Sequence, residues 1–287
     1  MPEIKWNTAR GGALGPAPFL IAGIVNVTPD SFYDGGRHGS ADAGIAHAEK
    51  LVRQGAHILD IGGESTRPYA DKVSLDQELE RVIPVVRALV GRELDGPDGT
   101  KVRPAISVDT YKAQTAARVL DAGADIINDV SAFRFEPELL DVVGQYKPGY
   151  VLMHSLGRPE DMQDAPYYDD VVDEMLAFFE ERLNLLDKAG LPRQNIVLDP
   201  GIGFGKLLEH NLAILKNIKR FSEFGLPIYM GLSNKSLWEQ LLGVAIGRRQ
   251  NATQVATALL AAKGVPIHRV HEVELTRQSL TIVQEIA

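Results

Sequence analysis

Eight short apolar runs, each ending at polar residues and each followed by a longer segment of helical period, constrain this chain more than any other feature. The runs are Phe19 to Val25, His57 to Ile61, Arg103 to Val108, Asp125 to Asn128, Tyr150 to His154, Asn195 to Leu198, Pro227 to Leu232 and Ile267 to Val270. Each is nearly continuous in apolar residues, as strands buried on both faces must be. Strand and helix alternating from end to end is the pattern of a parallel sheet wrapped by helices. Eight such pairs within 287 residues predict a single-domain α/β fold, the (β/α)8 or TIM barrel, over an open doubly wound sheet.

The connecting segments agree. After the second run, Leu75, Leu79, Val82, Ile83 and Val86 share one helical face, and Ser74 with Gln77 three residues on forms a capping-box pattern. Pro84 is expected to kink that helix. After the fifth run, Val172, Met175, Leu176, Phe179, Leu183 and Leu186 make a core stripe, with Glu180, Glu181 and Arg182 on the solvated side. The barrel is expected to occupy residues 19–287. Residues 1–18 precede it, and Ala9 to Pro18, rich in Gly, Pro and Ala, reads as either a poorly ordered lead-in or a plug at the barrel bottom. Asp95 to Lys101 reads as a surface loop.

Composition narrows the function. No apolar run approaches bilayer length and no basic-then-apolar pattern opens the chain, so a soluble, cytoplasmic protein without a membrane partner is expected. Zero cysteines exclude a disulfide framework, a thiolate zinc site and a cysteine nucleophile. A net charge of -8 argues against a nucleic-acid partner, which demands an extended basic face. Any phosphate must therefore sit in a local basic pocket.

Barrel enzymes build their sites from loops at the C-terminal ends of the strands. Here the unusual polar clusters begin where the apolar runs stop: Asn26, Gly62 to Arg67, Asp109-Thr110, Asn128-Asp129, His154-Ser155, Asp199, Ser233 to Ser236, and Arg269 with His271. Asp109 or Asp199 alone is as well explained as a helix cap. For Asp199 that reading weakens, because Pro200 and the glycines at 201, 203 and 205 let backbone approach a ligand closely. A carboxylate there suits a flat heterocycle that offers an N–H and an exocyclic amine on one edge. Asn128 is by itself more often a turn former than a ligand. Lys235 follows the seventh run, where barrels often place phosphate; an ion or carbonyl contact fits it better than an imine. Arg269 and His271, two apart on an extended segment, project to one side and suggest an anion pocket, to which Arg67 adds a second guanidinium. Asn26 offers a hard oxygen suited, with phosphate oxygens and water, to magnesium. His47, His57 and His210 lack partners in metal spacing and read as structural, while His154 is left open.

Three segments together, Asn26-Val27-Thr28-Pro29-Asp30-Ser31-Phe32-Tyr33-Asp34-Gly35-Gly36, Gly62-Gly63-Glu64-Ser65-Thr66-Arg67-Pro68 and Asp199-Pro200-Gly201-Ile202-Gly203-Phe204-Gly205-Lys206, carry a resemblance. From about Phe19 to the C-terminus the chain closely resembles the dihydropteroate synthase family of pterin enzymes. The resemblance implies condensation of (7,8-dihydropterin-6-yl)methyl diphosphate with 4-aminobenzoate, and sensitivity to sulfonamides. It implies a pterin pocket of Asp109, Asn128, Met153, Asp199 and Lys235. It implies diphosphate held by Asn26, Arg67, Arg269 and His271 with Mg2+ on Asn26, and 4-aminobenzoate against Phe32, Thr66, Pro68, Phe204 and Ser236. Asp109, Asp34, Lys235, Arg269 and His271 would be the catalytic set, in a homodimer whose partners are small-molecule substrates. Exposed apolar positions such as Val255, Leu259 and Leu260 would serve either the interface or the core.

Three departures stand out. Asn234 replaces the arginine the family usually carries after strand seven, and Tyr69 stands where glycine is common. The segment His154-Ser155-Leu156-Gly157-Arg158-Pro159 is irregular for the family. Two further readings remain at this stage: a methyltetrahydrofolate-corrinoid methyltransferase-like enzyme, which has no use for the diphosphate and aminobenzoate loops, and a catalytically silent pterin-binding paralogue.

Overall fold

A computed structural model describes residues 3–28, 36–65, 72–158 and 162–287. Its parallel strands are β1 (Leu20–Asn26), β2 (Ile58–Gly62), β3 (Ala105–Asp109), β4 (Ile126–Asp129), β5 (Gly149–Met153), β6 (Ile196–Asp199), β7 (Tyr229–Gly231) and β8 (Ile267–Val270). They follow one another around an 8-stranded sheet in the order β6-β5-β4-β3-β2-β1-β8-β7. A parallel bridge between Leu198 and Ile228 joins the two ends, closing the (β/α)8 barrel. Several observed strands start later than the apolar runs, at the cost of a polar residue or a proline, while the seventh also loses Ile228 and Leu232. Arg103, for example, leaves the ladder to pair with Glu93 at 2.9 Å.

Helices α1 (Gly36–Gln54), α2 (Leu75–Leu89), α3 (Ala113–Asp121), α4 (Leu139–Tyr146), α5 (Val171–Lys188) and α6 (Leu208–Lys216) each follow one strand. After β7 come two, the short α7 (Leu237–Leu242) and α8 (Gln250–Ala262), and α9 (Val273–Ile286) follows β8. The predicted capping box opens α2: Gln77 N donates to Ser74 Oγ at 3.3 Å and Ser74 N to Gln77 Oε1 at 3.1 Å. Pro84 lies within the helix. Its buried face is rotated from the predicted one, and consists of Glu78, Val82, Val85, Val86 and Leu89, with Leu75, Leu79 and Ile83 only half-buried. The rotation follows from packing between α1 and α3 and from Glu78, which is drawn inward by Lys112 and Thr115. The α5 stripe is as predicted, with Val171 added, but Arg182, expected on the solvated side, is half-buried over the Phe133 and Phe178 rings.

Along each strand, side chains alternate between the helical shell and the barrel interior. The lower interior is apolar: Leu20, Ala22, Ile58, Ala105, Ile126, Val151, Val197, Tyr229 and Ile267 pack together. Two residues further on, in the same phase, come Asp60, Asn128, Met153, Asp199, Gly231 and Arg269. The interior thus changes from hydrocarbon to polar groups toward the C-terminal ends of the strands. Ahead of β1, strands Ile4–Asn7 and Ala13–Ala17 form an antiparallel hairpin. Its Ile4 and Trp6 join the lower apolar layer, and the Trp6 indole donates to Asn195 O at 2.7 Å, so the hairpin covers the N-terminal end of the barrel. The Asp95 to Lys101 loop is bounded by a two-stranded ladder pairing Leu94 with Val102. Among the described residues no helix is long and apolar enough to cross a membrane.

Candidate active site

The polar upper interior opens as a pocket at the C-terminal ends of the strands. Asp109, Asn128, Met153, Asp199 and Lys235, drawn from five strand ends, all line it. Val130, Gly201, Ile202, Phe204, Gly231 and Arg269 complete its wall. Register explains the convergence: Asp109 lies beside Asn128 on the adjacent strand, and Met153 lies beside Asp199. Asn128 and Asp129, adjacent in sequence, part company. Asn128 faces the pocket, whereas the Asp129 carboxylate accepts from Ser131, Phe133 N and the Tyr150 hydroxyl and holds the β4 loop. That support matters because Ala132 and Phe133 both adopt positive φ, near 52°.

The pocket is rich in acceptors. Asp199 takes a 2.7 Å bond from Gly201 N on one oxygen, leaving the other for a ligand. Asp109 receives Arg269 Nη2 at 2.8 Å. Asn128 donates from Nδ2 to Asp60 at 3.1 Å, and its buried Oδ1 has no partner among the described residues. Burial pushes the Asp199 carboxyl up to about 6, against the Gly201 N–H and the charge of Lys235. Burial likewise raises Asp109, against Arg269. Lys235 is pulled down to about 8 by burial, opposed by Asp199, and its ammonium sits 4.1 Å from the centre of the Phe204 ring. Burial works against the charge of Arg269, but Asp60 and Asp109 outweigh it and keep the guanidinium protonated.

Phe204 therefore shares a wall with the five residues expected for the pterin, where the resemblance had assigned it to the aminobenzoate. His271 stands at the exit of β8, its Nδ1 2.8 Å from Ser233 Oγ, while its backbone N–H donates to that same oxygen at 3.2 Å. Ser236 is exposed, precedes α7 and makes no side-chain capping bond. Asn26 ends β1, half-buried next to Gly62. Among the described residues no group of three or more His, Asp or Glu could cage a metal. A lone amide oxygen fits a hard cation that brings phosphate oxygens and water as its other ligands. Phe32, Asp34, Thr66, Arg67, Pro68 and Tyr69 lie outside the described residues.

Two charged groups escaped the sequence reading. Asp60, in the middle of β2, is fully buried and receives Arg269 Nε at 2.6 Å and Ser107 Oγ at 2.5 Å. The signal for it was a carboxylate in phase with Ile58 inside a strand otherwise apolar. Lys206, the last residue of the Gly-rich loop, is buried and donates to the carbonyls of His154, Gly201 and Phe204 at 3.2, 3.0 and 3.0 Å. It also lies 2.9 Å from His154 Nδ1, which settles the place of that histidine: it packs against Phe178 behind the pocket wall. His47, His57 and His210 bond to backbone. Glu64 anchors the start of the second loop through Lys112 at 2.5 Å. Asn234 adopts φ +59°, a conformation that asparagine tolerates better than most residues, and its carbonyl accepts from Arg249 at 3.0 Å.

The pterin binding enzyme family model matches residues 22–271. Over 276 residues, 96% of this chain and 94% of the relative, the sequence is 40% identical to dihydropteroate synthase of Escherichia coli strain K12. The chain belongs to the dihydropteroate synthase family of pterin binding enzymes. It is a transferase fold of that family throughout its length, not at one motif. Dihydropteroate synthase of Xanthomonas albilineans with 4-aminobenzoic acid superposes with a TM-score of 0.89 at 39% identity, covering 99% of this chain and 98% of the other. The same enzyme in complex with 7,8-dihydropteroate gives a TM-score of 0.85 at 36% identity, with coverages of 99% and 98%.

Proposed function

We propose that this enzyme joins 4-aminobenzoate to (7,8-dihydropterin-6-yl)methyl diphosphate, giving 7,8-dihydropteroate and diphosphate. The observation that carries the reading is the meeting of Asp109, Asn128, Met153, Asp199 and Lys235 in one acceptor-rich pocket of a barrel that belongs to the dihydropteroate synthases. A pterin presents ring N–H groups and an exocyclic amine along one edge, which matches carboxylate and amide oxygens. Met153 and Phe204 supply apolar contact for its faces.

In the reaction the carbon–oxygen bond to diphosphate breaks and its electron pair leaves with oxygen. The arylamine lone pair forms the new carbon–nitrogen bond, and the amine proton passes to solvent or to the diphosphate. Arg269, in the pocket wall, and His271, at the exit of β8, hold the diphosphate and absorb its growing charge. Asp109 stabilises the cation that develops on the pterin methylene. Asn26 would hold Mg2+, which supplies further charge neutralisation on the leaving group. The 4-aminobenzoate would lie against Phe32, Thr66, Pro68, Phe204 and Ser236, while Arg67 would help hold the diphosphate and Asp34 would stabilise the cation; Phe32, Asp34, Thr66, Arg67 and Pro68 lie outside the described residues. The amine is already a competent nucleophile, so a strong general base is not required.

The enzyme acts in the cytoplasm as a homodimer. Support for the second copy comes from α8 and α9, which pack together yet leave Val255 54%, Leu259 61% and Ile282 57% exposed. Leu260, grouped with the first two in the sequence reading, is instead 3% exposed and belongs to the core.

Incubation with the pterin diphosphate, 4-aminobenzoate and magnesium, followed by chromatography, is expected to show dihydropteroate formed in step with diphosphate. No product under conditions where an authentic synthase turns over would overturn the reading.

A further inference from the structure

We propose that Asp60 is a positioning residue that sets the donor and acceptor polarity of the pocket, by locking the Asn128 amide with its oxygen toward the ligand. The proposal rests on the pterin reading above. Asp60 is 0% exposed, and among the described residues its carboxylate is hydrogen-bonded only by donors. Ser107 Oγ donates to Oδ1 at 2.5 Å, while Arg269 Nε at 2.6 Å and Asn128 Nδ2 at 3.1 Å donate to Oδ2. A carboxylate paired with an arginine accepts and does not donate. The Asn128 amide therefore has one stable orientation, with NH2 toward Asp60 and Oδ1 away from it. That oxygen is buried and has no partner among the described residues, and Asn128 lines the pocket. A buried acceptor left without a partner is costly, and a ligand that donates to it recovers that cost.

Register places the group that does this. Asp60 lies beside Ser107 on β3, and Asp109, two residues beyond Ser107, lies beside Asn128 on β4. Asp60 thus sits one layer below Asp109 and Asn128, out of the ligand's reach. The same carboxylate orients Arg269, which grips Asp60 through Nε and Asp109 through Nη2. One buried charge therefore fixes Asn128 and Arg269 directly and Asp109 through Arg269, and the outcome is a floor that presents the Asn128 and Asp109 oxygens as acceptors where β3 and β4 meet. Such a floor discriminates against a pteridine in which the exocyclic amine is replaced by oxygen, because acceptor would then meet acceptor.

The test compares binding of a 6-substituted pterin and its 2-oxo counterpart by calorimetry, using the intact protein and its Asp60→Asn and Asp60→Ala variants. In Asp60→Asn the new amide can still accept from Arg269 and Asn128 while donating to Ser107, so the preference for the 2-amino compound should hold within about threefold. In Asp60→Ala the Asn128 amide is free to reverse, and the preference should fall by about tenfold or more. A general loosening of the fold would weaken both ligands alike and leave the ratio unchanged; that result overturns the proposal. Neutron diffraction from crystals of the unsubstituted protein provides a reading that does not depend on the variants. Amide deuterons of Asn128 on the Asp60 side support the assignment, and deuterons on the pocket side refute it. If the unsubstituted protein binds neither compound, the pterin reading fails, while the neutron result still decides the orientation.

Discussion

Asp199 gives the pocket a pH dependence that can be read directly. Its carboxyl is raised to about 6 by burial, with the Gly201 N–H and Lys235 acting the other way. A ligand edge made of donors needs the ionised form. Above about pH 6 the Asp199 carboxyl already carries that charge and adds no slope of its own; below it, binding must expel a proton, and affinity falls by up to about tenfold per pH unit. Calorimetric titration of a pterin from neutrality into acid should show this limb, and Asp199→Asn should bind more weakly at neutral pH with the limb near 6 gone. If the limb persisted unchanged in the variant, another group would be its source. Asp109, Asn128, Asp199 and Lys235 were legible as candidates because each ends or follows an apolar run, where barrel sites are built, whereas Met153 and the grouping of the five in one pocket came only with the family resemblance. Asp60 was not, because it stands inside a run, and only the strand's twofold phase shows that it points to the interior.

At the level of elements, the loops after β5 and β6 are tied together by one amine. Lys206 bonds to carbonyls on both loops, and burial lowers its pKa to about 7, opposed by Asp199. The linkage has a definite sign. Between about pH 7 and its ordinary 10.5 the unfolded chain binds a proton that the folded chain does not, so folding gains stability as pH rises, by up to ~1.4 kcal/mol per unit. Lys206→Met removes the titrating group and leaves the carbonyls of His154 and Phe204 without that donor. The variant should be less stable by about 1 to 3 kcal/mol, and the difference from the parent should widen from pH 7 to 9 in urea unfolding. A constant difference would mean that Lys206 stays protonated in the fold. Strands, the Ser74 cap and the α5 stripe were readable from local pattern alone. The face of α2 was not, since it is set by neighbours distant in sequence, and for the N-terminal segment lead-in and barrel-bottom plug both stayed open, because its glycines and proline mimic a disordered stretch.

For the whole molecule, barrel closure was legible from the count of eight alternating pairs, but the surface left for a second copy was not, because burial against the core and burial against a partner look alike in sequence. Leu260 and Leu259 are adjacent and equally apolar, yet one is core and the other is 61% exposed. Val255 and Leu259 are one helical turn apart on α8, and Leu275 and Ile282 are two turns apart on α9, so each pair shares a face. A twofold interface built on these faces buries every such side chain twice, and each Val or Leu taken from water contributes about 1.5 kcal/mol or more. Replacing Val255 and Leu259 together by aspartate should raise the dimer dissociation constant by on the order of a hundredfold or more. Because both side chains point away from the barrel, the binding of a pterin should stay close to that of the parent, and the thermal transition should fall only by what the lost association contributed. Sedimentation velocity at micromolar concentration checks this, with a dimeric parent and a monomeric variant expected. A parent that sediments as a monomer, or a variant that stays dimeric, would move the interface elsewhere or remove it.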